Sequence, residues 1–212
     1  MPTGCNRSTA KRVDALTTAA NDMREKILAA AGDVLRRHGP AKTGVVDVAR
    51  ACGMSHANVY RHFSSKAALL DAVAGRWLAA IVAPLEAIVE AGGPAPARLE
   101  AWLLALAEAK RRKVLDDPEL FETYQGLVST MRHVVADHVG HLQAQVAAIV
   151  AQGVARGDYR VADPQAAAAA VLAATAVFHT PRHVKARGGA SARDEARRVI
   201  ALVNAGLAAG VV

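Results

Sequence analysis

The chain has 212 residues, 26 Lys+Arg against 19 Asp+Glu for a formal net charge of +7, and is 52% hydrophobic and 21% charged. That length and apolar share suit one or two small domains with a real core and exclude a disordered chain. Met1 to Ala20 lacks the apolar run of a secretory signal. The longest apolar stretch, Ala166 to Phe178, is broken by Thr175 and falls short of the roughly 20 residues of a membrane span. Two cysteines, Cys5 and Cys52, make no disulfide framework and no metal spacing. A folded cytoplasmic protein without a membrane span is expected.

Alanine and leucine are abundant, aromatics are only 4%, and no run alternates with period two for long, so the fold is expected to be all-α with about nine helices. Residues 1–20 mix Gly, Ser, Thr, Arg and Lys and read as a flexible basic arm. A first helix is expected from Asn21 or Asp22, with Ile27, Leu28, Ala31, Val34 and Leu35 on one face and a stop at Gly39-Pro40. Two short helices follow, Val45–Cys52 and His56–His62, and a fourth starts at Ser64-Ser65-Lys66 and meets Pro84. Five more are expected over Ala97–Val114, Pro118–Asp137, His138–Arg156, Pro164–Arg182 and Ser191–Ala209. Asp117-Pro118 and Asp163-Pro164 each set a capping carboxylate before a first-turn proline.

Charge divides the chain. Residues 1–76 carry 12 basic and 6 acidic residues, whereas 77–212 carry 14 and 13. An excess confined to one third suits a segment that meets a polyanion, joined to one that does not. Residues 21–76 alone hold 9 basic against 5 acidic, so the excess belongs partly to folded sequence.

Within the basic third, Ala49, Gly53 and Val59 have the spacing of a helix-turn-helix. A small residue lets the second short helix approach the first, a glycine takes positive φ in the turn, and a valine buries the inner face. Val45, Val48 and Met54 complete this small core, and Ser55 can cap the second helix. By itself the spacing is weak, because Ala, Gly and Val are common.

The longer string carries more. Residues 27–70, ILAAAGDVLRRHGPAKTGVVDVARACGMSHANVYRHFSSKAALL, strongly resemble the N-terminal domain of TetR-family transcriptional regulators. The matching pieces are Ile27-Leu28-x-Ala30-Ala31, Val45-x-Asp47-Val48-Ala49, Gly53-Met54-Ser55, Val59-Tyr60-Arg61-His62-Phe63 and Ser65-Lys66-x-x-Leu69-Leu70. The resemblance implies a helix-turn-helix DNA-binding domain over 21–66 and a helical effector-binding and dimerisation domain over 67–212.

The resemblance also implies that Ser55, His56, Ala57, Asn58, Tyr60 and His62 form or flank a recognition helix in the major groove. His56 and Asn58 can hydrogen-bond base edges or phosphates, and the Ala57 methyl can meet a thymine methyl. Tyr60, His62, Lys66, Thr43 and Lys42 are expected at the DNA backbone. Arg61 reads equally as a DNA contact or a solvated side chain. Two positions depart from the family: Gly44 where Thr is frequent, and Ala57 where Gly is frequent. Both limit transfer of any operator preference.

The remaining two-thirds carries no comparable motif. Trp102, Phe121, Tyr124, Met131, His133, Phe178 and His179 are the expected effector-binding residues, because helical bundles line ligand sites with apolar side chains and few polar ones. Ala167, Ala170, Val171, Ala174, Val199, Leu202, Val203 and Leu207 are the expected homodimer interface, since small residues allow close helix approach. His179 and His183 lie four apart, but Pro181 intervenes and the body has no cysteine, so no metal and no cofactor are assigned. No Gly-rich phosphate loop, nucleophile elbow or HExxH string is present, so an enzyme is not expected. The expected function is a repressor that binds a palindromic DNA operator as a dimer and is released by a small-molecule effector. The alternatives are a DNA-binding dimer without an effector and a metal-sensing repressor.

Overall fold

The computed structural model describes residues 6–116, 118–119, 121–122, 131–180, 183–184 and 190–211. Among them the chain is all-α, with helices α1 Asn6–Lys42, α2 Val45–Cys52, α3 His56–His62, α4 Lys66–Glu90, α5 Ala95–Asp116, α6 Arg132–Arg156, α7 Pro164–Ala174, α8 Ala176–His179 and α9 Ala190–Ala209. Residues 118–119, 121–122 and 183–184 are also helical. The chain divides into two compact units, Met1–Arg76 and Trp77–Val212.

In the first unit the expected apolar face of α1 is the core: Ile27, Leu28, Ala31, Val34 and Leu35 are buried with Val45, Val48, Val59, Phe63, Leu69 and Val73. Gly39 breaks the helix (φ 68°, ψ 170°) just before Pro40, as its sequence leads one to expect. The N-terminal end differs. Helix α1 begins at Asn6, not at Asn21, because nothing between Ser8 and Ala20 breaks a helix and four alanines favour one. Only residues 1–5 of the expected arm lie outside the described residues. The unit boundary also falls later than expected, at Arg76. The first turns of α4 bury Leu69, Leu70, Val73 and Ala74, and Arg76 Nε pairs with Glu25 Oε2 at 3.2 Å.

Helix α4 runs through Pro84 to Glu90, and by length and composition alone it is apolar enough to cross a membrane. Ala166 to Phe178 remains the longer stretch without a charge, since Asp71, Arg76 and Glu86 interrupt α4. The composition of α4 has a structural cause, because it buries Ile81, Val82 and Leu85 in the second unit as well as its first turns in the first.

The second unit packs α5, α6, α7 and α9 around Trp102, Leu106, Val146, Ile149, Ala167, Val171 and Ile200. Three boundaries differ from expectation. Helix α6 runs unbroken through Asp137-His138, where no glycine or proline interrupts it. The helix begun at Pro164, capped by Asp163 through the Gln165 and Ala166 amides at 2.8 and 3.1 Å, stops at Thr175. The Thr175 hydroxyl donates to the Val171 carbonyl at 2.8 Å, which competes with the helical ladder. Helix α8 then ends at His179, so His179 and His183 do not share one continuous helix face.

A tertiary cap joins α5 to the turn after α6: the Ala95 amide donates to Asp158 Oδ2 at 2.9 Å. Beside it Gly153 lets Tyr159 lie against α6. A Cβ on Gly153 would overlap Tyr159 Cδ2 and sit 2.6 Å from Ala95 Cβ. The Tyr159 ring is held from the other side, since its hydroxyl donates to Asn204 Oδ1 at 2.6 Å. Gly153→Ala is expected to destabilise the protein by about 1–3 kcal/mol through overpacking. Thermal unfolding checks this, with an expected fall in Tm of about 2–4 °C per kcal/mol.

Candidate nucleic-acid interface

Helices α2 and α3 are held by local chemistry that the sequence spells out. At the start of α2 the Gly44 amide donates to Asp47 Oδ2 at 3.1 Å while the Asp47 amide donates to the Gly44 carbonyl at 3.1 Å. The Asp47 amide, which a threonine hydroxyl at this position would accept from, bonds the Gly44 carbonyl instead. Gly53 ends α2 in the left-handed conformation (φ 68°, ψ 36°), and the Met54 amide donates to the Ala49 carbonyl at 3.0 Å. Ser55 caps α3 through the Asn58 amide at 3.3 Å. Ala49 and Val59 are buried, as their spacing requires.

The outward face of α3 follows from that packing. Ser55, His56, Ala57, Tyr60 and Arg61 are exposed, Asn58 and His62 half-buried. Tyr60 is 47% exposed, unusual for a large aromatic, so its ring is available to a partner. Asn58 Nδ2 lies 3.7 Å from Met54 Sδ, a weak bond that a base edge can displace. Lys66 is exposed and its Nζ donates to the Pro40 carbonyl at 3.3 Å, which places the charge beside the α1–α2 connection. Lys42 is exposed nearby. Among the described residues none of Lys42, Arg61 and Lys66 pairs with a carboxylate, so this surface is cationic.

One expected backbone contact is displaced. Thr43 is buried and its hydroxyl donates to the Gly39 carbonyl at 2.7 Å, so it closes the α1 break rather than facing outward. Phe63 is core, with the Arg24 guanidinium 4.3 Å above its ring. Sequence reasoning passed over Val46, which is 56% exposed on α2. Its sign was legible, because Val45 and Val48 take the inner face of a helix and Val46 cannot share it.

The comparisons agree with this geometry. Residues 27–73 match the model of bacterial regulatory proteins of the tetR family, and residues 95–200 match that of the tetracyclin repressor-like C-terminal domain. The chain belongs to the TetR family of transcriptional regulators. It is therefore a DNA-binding regulator, in a family whose members are regulators rather than enzymes. PfmR of Thermus thermophilus, a TetR-family regulator, is 26% identical with a TM-score of 0.56, over 85% of this chain and 98% of that one. A protein of Pseudomonas aeruginosa PAO1 described as a transcriptional regulator shares the fold at 19% identity and a TM-score of 0.69, over 89% of this chain and 93% of that one. FadR of Bacillus subtilis, solved with stearoyl-CoA, shares it at 14% identity and 0.60, over 86% and 98%. No curated protein matches the sequence significantly.

In the body of this TetR-family regulator the expected effector residues do not all converge. Trp102 is fully buried and its Nε1 donates to Gln145 Oε1 at 2.9 Å. Phe121 and Met131 are buried, His133 is exposed, and Tyr124 lies outside the described residues. A cleft of about 980 Å³ opens beside α5, α8 and α9, but of the expected residues that are described only Phe178 lines it. On its charged wall Glu108 accepts from Arg111 and Arg112, each at 2.9 Å, which holds its carboxyl down to about 2, and Arg111, Arg112 and Arg193 outnumber Glu100 and Glu108 there.

On the opposite face of α5, Lys110 is buried with its Nζ 2.7 Å from His138 Nε2. Thr175 Oγ1 lies 3.2 Å from His179 Nε2. Burial lowers Lys110 to about 8. Burial first, then Lys110, His141 and His179, lowers His138 to about 3, and burial followed by Lys110 lowers His179 to about 4. Both histidines are thus neutral when folded, whereas an unfolded histidine takes up its proton near 6.5. Between those values the unfolded chain binds more protons, so stability falls as pH drops from about 6.5 towards 4. Urea unfolding at pH 7 and pH 4.5 is expected to show a lower midpoint in acid, and His138→Gln with His179→Gln to flatten that difference. Lys110 acts at the other end, where stability rises with pH from about 8 towards 10.5. Among the described residues no group of three or more His, Cys, Asp or Glu could hold a metal ion.

The expected dimer residues also separate. Ala167, Val171 and Leu207 are buried inside the unit, because α7 and α9 turn these positions towards α6 and the core. They present almost no surface to a second subunit. Ala170, Ala174 and Leu202 are exposed, and Val199 and Val203 half-buried.

Proposed function

We propose that this regulator is a repressor that binds a palindromic operator as a homodimer and leaves it when a small-molecule effector enters the body. Such a protein works in the cytoplasm, on the nucleoid. The observation that carries the reading is the α3 surface: His56, Ala57 and Tyr60 are exposed and Asn58 half-buried, beside Lys42, Arg61 and Lys66, which have no carboxylate partner among the described residues. Groups able to read base edges sit between groups able to hold phosphates.

Two copies are needed to read both half-sites, which lie about one helical turn, roughly 34–36 Å, apart. The outer faces of α7 and α9 supply the means. Ala166, Ala169, Ala170, Ala173 and Ala174 line the outside of α7, and Ala201, Leu202, Ala205, Ala208 and Ala209 that of α9. A pair of such helices from each subunit packs as a four-helix bundle.

Release requires the effector to bind more tightly to a conformation that does not fit the operator. Helix α4 is continuous from Lys66 to Glu90 and carries residues of both units, so it is the element through which occupancy of the body reaches α3. The test is a gel shift with DNA from upstream of the protein's own gene. Steeply salt-dependent binding to one palindromic site is expected. A bound small molecule that stabilises the fold yet leaves the shift unchanged contradicts release and favours a dimer with no effector.

A further inference from the structure

We propose that the cleft beside α5, α8 and α9 is the effector site, and that it takes an amphiphilic organic anion, with its apolar body along α5 and its anionic group at the arginine-rich end. The proposal rests on the effector reading above and adds the place and the ligand's chemistry to it.

The cleft holds about 980 Å³, a volume within the range of small-molecule sites. It lies on the face of α5 turned away from Trp102 and Leu106, which are core. An outward helix face ordinarily carries polar residues. Here Ala97, Ala101, Leu104 and Ala105 follow at helical spacing instead, and share the cleft with Phe178 on α8 and Ala196 on α9. The alanines keep the space open, since a longer side chain at Ala101 or Ala105 would enter it. Ala196 continues the α9 face that buries Ile200 and Leu207, whereas Ala201, Leu202 and Ala205 are exposed on the other side of that helix. A second subunit packed on those outer residues does not cover the Ala196 face.

Charge is gathered at one end. Along α5 the apolar residues come first, and Glu108, Arg111 and Arg112 follow. Helix α9 runs antiparallel to α5, since Asn204 Nδ2 donates to the Pro96 carbonyl at 3.2 Å and Arg197 Nε pairs with Glu100 Oε1 at 3.5 Å. Arg193, one turn before Arg197, therefore lies further towards Arg111 and Arg112. With Glu100 taken by Arg197, the cleft wall sets Arg111, Arg112 and Arg193 against Glu108 alone. Among the described residues no carboxylate pairs with Arg193. It also stands in the first turn of α9, where the helix's own positive end disfavours a cation. An anion in the cleft offsets both. Guanidinium groups hold a carboxylate, sulfonate or phosphate through paired N–H donors, and an uncharged ligand of the same shape forgoes those bonds.

The probe is anilinonaphthalenesulfonate, which fluoresces when it leaves water, compared with phenylnaphthylamine, the same molecule without its sulfonate. Both are titrated into the full-length protein at neutral pH. The sulfonate is expected to bind saturably, one per chain, and phenylnaphthylamine about tenfold more weakly. Arg112→Gln with Arg193→Gln is expected to weaken the sulfonate about tenfold and leave phenylnaphthylamine unchanged, a pattern that lost packing alone does not give. Ala101→Trp, at an exposed helical position, is expected to lose both probes with helical circular dichroism unchanged. Equal binding of the two probes, no saturable sulfonate binding, or a full sulfonate response in Ala101→Trp overturns the proposal, and leaves release by an effector at another site standing. A saturated cleft with an unchanged gel shift instead upholds the site and counts against release through it.

Discussion

His56→Ala and Tyr60→Ala are each expected to weaken operator binding by about 10–100-fold, and together by more, while the melting temperature stays within a degree or two. A hydrogen bond is worth about 0.5–1.5 kcal/mol net, and a homodimer loses the one His56 makes to a base edge, or Tyr60 to the backbone, in both half-sites. The fold is expected to survive because both side chains point outward, whereas the core of this unit is made by Ile27, Leu35, Val48, Val59 and Leu69. Lys66→Met should act differently. It removes a phosphate contact, so binding weakens alike on operator and on unrelated DNA, and the salt dependence becomes shallower by about one unit of slope per subunit. Fluorescence anisotropy at several salt concentrations separates the two behaviours.

Charge substitutions on α7 and α9 are expected to give opposite outcomes although their sequence context is alike. Leu202 is 73% exposed. Leu202→Glu should therefore leave a folded chain with unchanged helical circular dichroism that elutes as a monomer and no longer binds the operator tightly. Val171 is 2% exposed and belongs to the core of the body. An aspartate there buries a charge with no partner, a loss of several kcal/mol, so Val171→Asp should unfold or precipitate rather than dissociate. Sizing chromatography with circular dichroism decides both. A folded monomeric Val171→Asp, or a dimeric Leu202→Glu, would place the interface elsewhere.

That contrast shows where sequence reasoning stops. Small apolar residues recur all round α7 and through much of α9, so composition marks both helices as close-packing but cannot say which face turns to α6 and which to a second subunit. The DNA-binding unit was more legible because its contacts are local. Gly53, Ser55 and Ala49 act within a few residues of one another, and their roles follow from backbone conformation and size. Thr43 escaped this reading, since its hydroxyl is taken by the Gly39 carbonyl across a break whose geometry no spacing reveals.

In the body the informative pairings are distant in sequence. Asp158 caps α5 from 63 residues away, Trp102 meets Gln145, and Lys110 meets His138. Lys110 drew no notice as one lysine in the run Lys110-Arg111-Arg112-Lys113, where a solvated face is the ordinary expectation. Only the packing of α6 separates it from its neighbours, Arg111 and Arg112 being exposed. The unbroken α6 and the stop at Thr175 have the same origin. Helix ends without glycine or proline depend on which carbonyl a side chain finds, and that is settled by tertiary packing.

The most direct test of the account is a footprint of the purified full-length protein on DNA from upstream of its gene, with a His56→Ala, Tyr60→Ala double variant beside it. The account predicts a protected palindrome whose half-site centres lie about one helical turn apart, bound by two copies, with protection lost in the double variant at the same concentration. Binding that an equal mass of unrelated DNA competes away equally well, or protection unchanged in the double variant, would contradict it.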